Sequence, residues 1–157
     1  MANMRSFSLV FLATATVLLA GQVVVASDLC AGADYKPLCK SLLKGINNPA
    51  VATEAIINNL IRQTTHAKSL ASRLGKDQKL DACIDNYDLA LDSLNKALIA
   101  YKGNDKEKCA IMLSACIASY STCEDTFAEF DLPSPLEKDD SRMEQTAATG
   151  LLVAKLD

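Results

Sequence analysis

The 157-residue chain has no tryptophan and one histidine, His66, so it is poor in the side chain that most often serves as general base or metal ligand near neutral pH. It also lacks His-Glu-x-x-His, Gly-x-Ser-x-Gly, a phosphate-cradling glycine loop and a calcium loop with its required glycine. Catalysis by any of these devices is therefore not expected, nor is a metal or a cofactor. His66 precedes an apolar-stripe position by one residue and reads as a half-exposed helix residue rather than a ligand, since a metal site wants partners nearby. Aromatic residues make up only 5%, there is no basic run, and the formal charge is −3, which excludes nucleic acid as a natural partner. No Asn-x-Ser/Thr acceptor is present, so N-glycosylation is set aside.

What the sequence does contain begins with a leader. Arg5 precedes the apolar run FSLVFLATATVLLAGQVVVA, and Val24 and Ala26 supply the small-residue spacing of a cleavage site before Ser27. Residues 1–26 read as a secretory signal peptide. A retained membrane anchor is the alternative, because the run approaches the ~20 residues that span a bilayer. Cleavage leaves 131 residues with 15 basic and 19 acidic side chains, a net charge of −4 and enough chain for one domain with a real core. All six cysteines fall in this mature part, where an oxidising compartment favours bridges.

Punctuation and periodicity agree on four long helices. Asn48 and Pro49 form a cap and first turn, after which Ile57, Leu60, Thr64, Ala67, Ala71 and Leu74 step by three and four until Gly75. Asp77 caps a second helix with the stripe Leu80, Ile84, Tyr87, Leu91, Leu94, Leu98 and Tyr101, ended by Gly103. Asn104 with Glu107 opens a third, carrying Leu113, Ile117, Tyr120 and Phe127. Pro133 and Pro135 break the chain, and Ser141 with Glu144 predicts a capping box for a fourth helix through Ala147, Leu151 and Ala154. No stretch reads as a strand. The fold class is all-α, an antiparallel up-down four-helix bundle, with residues 28–47, divided at Pro37, as a smaller helical appendage.

The cysteines test this arrangement. Cys109, Cys116 and Cys123 stand seven residues apart, about 10.5 Å of helical rise per step, whereas bridged Cα atoms must lie within about 7 Å. They cannot pair with one another. Gly103 lies twenty residues after Cys83 and twenty before Cys123, so an antiparallel hairpin hinged there brings those two together. The same symmetry sets Cys116 opposite Ala90 and Cys109 opposite Ala97, a seam of small side chains. Cys30 and Cys39 are left to staple the appendage. By loop entropy the two bridges contribute about 3 and 4 kcal/mol, the shorter loop less. Cys109 and Cys116 are free-thiol candidates: Cys116 reads as a small buried hydrophobe, while Cys109, in a first helical turn, would be reactive if exposed and could join two copies. A monomer is expected, with a dimer through Cys109 as the alternative.

Asp81, Asp85, Asp88 and Asp92 are spaced by four, three and four, along one side of the second helix. A solvated face is the ordinary reading. The sharper one is a negative strip for a basic protein partner.

The segments CIDNYDLALDSL (83–94) and LSACIASYSTCEDTF (113–127) resemble the two signature blocks of the plant invertase and pectin methylesterase inhibitor family, one through Cys-x-acid-x-Tyr-x-x-Ala and the other through Ser-Ala-Ala followed by Cys-x-Asp-x-Phe. CAGADYKPLC has the family's eight-residue cysteine gap, and TAATGLLVAKL is similar to its last helix. The resemblance implies a secreted four-helix bundle with an N-terminal helical hairpin over 27–47 and the bundle over 48–157, together an inhibitor domain at 27–157. It implies disulfides paired first to second and third to fourth, and no catalysis. It further implies a one-to-one complex, favoured by acid pH, that covers the substrate cleft of a cell-wall enzyme. Carried over by motif, partner-binding positions are Asp85, Asp92, Thr122 and Asp125, with Asp88 in the same strip.

The chain departs from the family pattern at Cys116, which replaces the second alanine of Ser-Ala-Ala, and at the added thiol of Cys109. Some invertase-inhibiting members carry Pro-Lys-Phe in the turn between the second and third helices; here the turn is KGNDKEK. The expected target is pectin methylesterase in the extracellular cell wall, with invertase as the alternative. A secreted carrier or abundant protein without an enzyme target is the reading from another class. Lipid-transfer proteins, its obvious example, resemble one another in eight cysteines with an adjacent pair, which is absent here.

Overall fold

The structure, a computed structural model, describes residues 28–156. The expected signal peptide lies outside the described residues.

Two turns over residues 28–34, closed by Ala31 N–H to Asp28 O and Ala33 N–H to Cys30 O, lead into the short helix α1, Lys36–Leu42. Pro37 stands in its first turn, where a missing N–H costs nothing, so this proline starts a helix instead of dividing one. The appendage therefore holds one helix and a pair of turns, joined by the Cys30–Cys39 bridge with Cα atoms 5.8 Å apart.

Four long helices follow: α2, Pro49–Leu74; α3, Gln78–Lys102; α4, Lys106–Ala128; and α5, Glu137–Val153. The carboxamide oxygen of Asn48 accepts from Val51 N–H and the carboxylate of Asp77 accepts from Lys79 N–H, so both expected caps are in place. The third cap differs by one residue. Asp105, not Asn104, accepts from Lys108 N–H, because Asn104 takes a left-handed φ of 60° in the turn itself. The fourth start differs by a full turn. α5 begins at Glu137, prepared by Ser134 Oγ accepting from Leu136 N–H, and Glu137, Asp139 and Asp140 fill its first turn, where negative charge complements the helix dipole. Ser141 and Glu144 are interior residues of that helix, and Glu144 accepts from Ser121 of α4 instead of from its own backbone.

Around the bundle α2 packs on α3, α3 on α4, α4 on α5, and α5 back on α2; α1 leans on α5. The α3–α4 pair is the most extensive, and its sequence explains why. Leu80, Cys83, Tyr87, Ala90, Leu94, Ala97 and Tyr101 on α3, and Cys109, Leu113, Cys116, Tyr120, Cys123 and Phe127 on α4, are buried at strict three-four spacing. The stripe expected from Ile84, Leu91, Leu98 and Ile117 is only partly buried, packed along the flanks of the seam. Small residues hold its centre, which lets the two backbones approach closely. Cys116 Sγ contacts the carbonyl of Ala90 at 3.5 Å across that seam. Leu74, the expected end of the α2 stripe, is exposed.

Two buried tyrosines cross the bundle. Tyr120 of α4 shares a 2.7 Å hydrogen bond with Thr64 of α2, and Tyr87 of α3 donates at 2.8 Å to Asp140 of α5. Their rings lie 6.5 Å apart, so each diagonal of the square has a polar tie passing beside the other.

Candidate functional site, a helical docking face

Counting along the buried positions of α3, Asp85, Asp92 and Ile99 fall directly opposite the core, as Ala118 and Asp125 do on α4. Side contacts orient the two helices. Asp88 is ion-paired with Lys68 of α2, so that flank of α3 faces α2. Ser121 donates to Glu144 of α5, so the corresponding flank of α4 faces α5 and Thr122, on the other flank, leans toward α3. Asp85, Asp92, Thr122 and Asp125 are all exposed. Asp88 is exposed as well, but it belongs to the α2 border and is already neutralised. Asp92 pairs with Lys96 one turn on. The acidic strip is thus divided, and the unpaired charge on the outward ridge of α3 concentrates at Asp85.

Sequence reasoning passed over the apolar component of this face. Leu89 is 60% exposed and Ile99 is 72% exposed, both on the outward side of α3 beside the acids. Their signal was available: large aliphatic residues at positions where the three-four spacing demands solvent. A rim of carboxylates around exposed aliphatic side chains is the composition of a surface that meets another protein.

Beneath the face, Cys83 and Cys123 are bridged with Cα atoms 4.6 Å apart, clamping α3 to α4 inside both signature-like segments. The two remaining thiols are shut in. Cys109 and Cys116 are fully buried. Burial, with a smaller contribution from Asp105, pushes the Cys109 thiol above its ordinary pKa, and burial pushes Cys116 up to about 12. The condition for an activated first-turn thiol at Cys109, exposure, is not met: the side chain is buried in the α3–α4 seam.

Next to the clamp lies a buried carboxyl pair. Asp140 Oδ1 accepts from Tyr87, while Asp140 Oδ2 and Glu124 Oε1 are both buried with no donor. Oxygens of the two carboxyl groups lie within 4.8 Å of each other and of Cys123 Sγ. The sulfur is spent in a disulfide and cannot act as a thiolate ligand, so this cluster does not make a metal site. A proton held on Asp140 supplies the missing donor. Burial first, and the Glu124 carboxyl second, push Asp140 up to about 8.

His66 is exposed on α2, opposite the α3–α4 edge. No described helix is long and apolar enough to cross a membrane.

The class these features define is an all-helical, disulfide-clamped bundle with an outward acidic and aliphatic face. The chain belongs to the plant invertase/pectin methylesterase inhibitor family, whose model matches residues 25–152. Among solved structures it is similar to mutant form A of a pectin methylesterase inhibitor from Arabidopsis, with a TM-score of 0.73 at 15% identity over 83% of this chain and 95% of that one. It is also similar to a pectin methylesterase inhibitor from Arabidopsis thaliana, with a TM-score of 0.64 at 14% identity over 69% of this chain and 78% of that one. At these identities the likeness is one of fold. No curated protein sequence matches the chain.

Proposed function

We propose that residues 27–157 form a secreted inhibitor that binds pectin methylesterase one-to-one and covers its substrate cleft, without catalysis of its own. The observation that carries this reading is that the polar residues of both signature-like segments, Asp85, Asp92, Thr122 and Asp125, point outward from the two helices that a single disulfide clamps together. A stapled face loses little conformational freedom on docking, so more of its contact energy appears as affinity. Leu89 supplies an apolar anchor among the acids, and Asp85, lacking an ion-pair partner among the described residues, steers a basic surface toward it. Family membership covers invertase as a target too; the absence of Pro-Lys-Phe from the α3–α4 turn favours the esterase.

Mixing the oxidised protein with a plant pectin methylesterase at mildly acid pH is expected to abolish methanol release. Leu89→Ala together with Asp85→Asn is expected to weaken inhibition by about tenfold or more, the loss typical of a central contact and its charged neighbour. Full esterase activity at excess protein would reject the esterase as target, and loss of sucrose hydrolysis by an invertase in the parallel assay is what the alternative target predicts.

A further inference from the structure

The opposite edge of the bundle, where α2 meets α5, has a different chemistry. Asn59, Arg62, Gln63 and His66 recur at three-four spacing along α2 and face Asp139 and Arg142 of α5 across a cleft of about 330 Å³ with Met143 also in its wall. That size is at the small end of the range that holds small molecules. The docking face on α3 and α4 contributes nothing to it.

Three properties of the cleft restrict what fits. First, it is cationic without being neutralised from within. Among the described residues no salt bridge joins Arg62 or Arg142 to an acid, although Asp139 stands one turn before Arg142. Two guanidinium groups on facing helices suit a planar carboxylate, which each can grip through a pair of N–H donors. Second, the carboxamide oxygens of Asn59 and Gln63 are buried and unpartnered. A buried acceptor without a donor is costly, so a ligand that donates hydrogen bonds there recovers energy. Hydroxyl groups do so, and because a hydroxyl both donates and accepts it satisfies a carboxamide turned either way. Third, Asp139 opposes a concentrated negative charge while accepting from hydroxyls itself. Phosphate therefore matches the arginines but sets a more concentrated negative charge against Asp139, and a neutral sugar matches the amides but not the arginines. Water can bond to the amides, yet it leaves both guanidinium charges without a counter-ion.

We propose that the α2–α5 cleft binds a small polyhydroxylated carboxylate of the sugar-acid class, the carboxylate between Arg62 and Arg142 and the hydroxyls on Asn59, Gln63 and Asp139. This second site is separate from the docking face and does not rest on the inhibitor reading. It gives the protein two independent engagements, one with a protein on α3 and α4 and one with a sugar acid on the far side, either a free monomer or a residue of a polyanionic chain.

Amide chemical-shift titration of the oxidised protein tests this with D-galacturonate, a galacturonate trimer, D-glucose and inorganic phosphate at matched ionic strength. Expected are saturable shifts centred on residues 59–66 and 139–143 with galacturonate or its trimer, the tighter of the two identifying monomer or polymer as the source, and none that saturate with glucose or phosphate. Arg62→Gln with Arg142→Gln should weaken binding about tenfold or more. Both side chains are exposed, so the fold should survive, and unchanged helical circular dichroism checks it. Asn59→Ala with Gln63→Ala should weaken the uronates while leaving any phosphate response unchanged. Inhibition of the esterase should be the same in all variants. No saturable uronate response, an equal response to phosphate, or binding indifferent to both double variants would overturn the proposal.

Discussion

The residue that carries most consequence for its size is Asp140. Its carboxyl group is fully buried between α3, α4 and α5, faced by the Tyr87 hydroxyl, the Glu124 carboxyl and, from its own helix, Glu144. Its folded-state pKa of about 8 stands above the ordinary 3.8, so the folded chain holds a proton that the unfolded chain releases between those values. Stability from this group is complete below pH 3.8 and is lost as pH rises to 8, at up to about 1.4 kcal/mol per pH unit. Asp140→Asn replaces the titrating proton with a permanent amide donor toward Glu124 and keeps an oxygen for Tyr87. Urea midpoints measured from pH 5 to 8 should fall with pH in the parent protein and flatten in the variant; parallel slopes would show that Asp140 does not hold the proton. Nothing in the local sequence of Asp139 and Asp140 announces this. An acidic residue in a first helical turn is ordinary, and only the packing of three helices makes one of the two adjacent aspartates a buried acid.

At the scale of the element, the helices were legible where the punctuation lay inside the segment itself. Asn48 and Asp77 cap α2 and α3 as expected, and the equal distances from Gly103 predict the Cys83–Cys123 pairing that the structure has. Legibility failed where a neighbour supplied the answer. Ser141 and Glu144 match a capping box, but Glu144 is drawn to Ser121 on another helix, and the true start is prepared by Ser134, which precedes the first residue of α5, Glu137, by three positions. The small-residue seam at Ala90 and Ala97, expected from the same symmetry about Gly103, is in place, whereas Ile84, Leu91 and Leu98 of the expected α3 stripe are only partly buried because close helices want small residues between them. Gly150 in α5 obeys the same demand. A Cβ at this position would sit 3.1 Å from Ile56 Cγ2 and 3.5 Å from Leu113 Cδ1, both in fully packed surroundings. Replacing a mid-helix glycine by alanine ordinarily adds about 1 kcal/mol of helix propensity. Gly150→Ala should lose that gain to crowding, so thermal unfolding should show no rise in Tm; a rise of several degrees would mean that Ile56 moves aside freely.

For the whole molecule, the two free thiols report on cooperativity. Cys109 and Cys116 reach solvent only if α3 and α4 separate, and the bridge between Cys83 and Cys123 opposes that at the far end of the same pair. Ellman's reagent should therefore find no reactive thiol in native buffer and two in denaturant, and non-reducing electrophoresis should show a monomer. Rapid native labelling of either cysteine would indicate that the seam opens locally. The division of surface labour also belongs to this scale. One edge of the square presents acids and exposed aliphatic residues, the other arginines and unpartnered amides, and a four-helix bundle keeps them apart because its two polar diagonals fix which helices are neighbours. That opposition was invisible in the sequence, where Arg62 and Arg142 are eighty residues apart.

The bridge joins residues forty apart, and everything from the start of the α3 signature at Cys83 through the α3–α4 turn to Cys123 lies within one covalent ring. The turn at 103–105 is the exposed point of that ring. A protease that nicks it converts the ring into two tethered arms instead of two fragments, so the acidic face keeps both its halves after a cut that would dismantle an unbridged bundle.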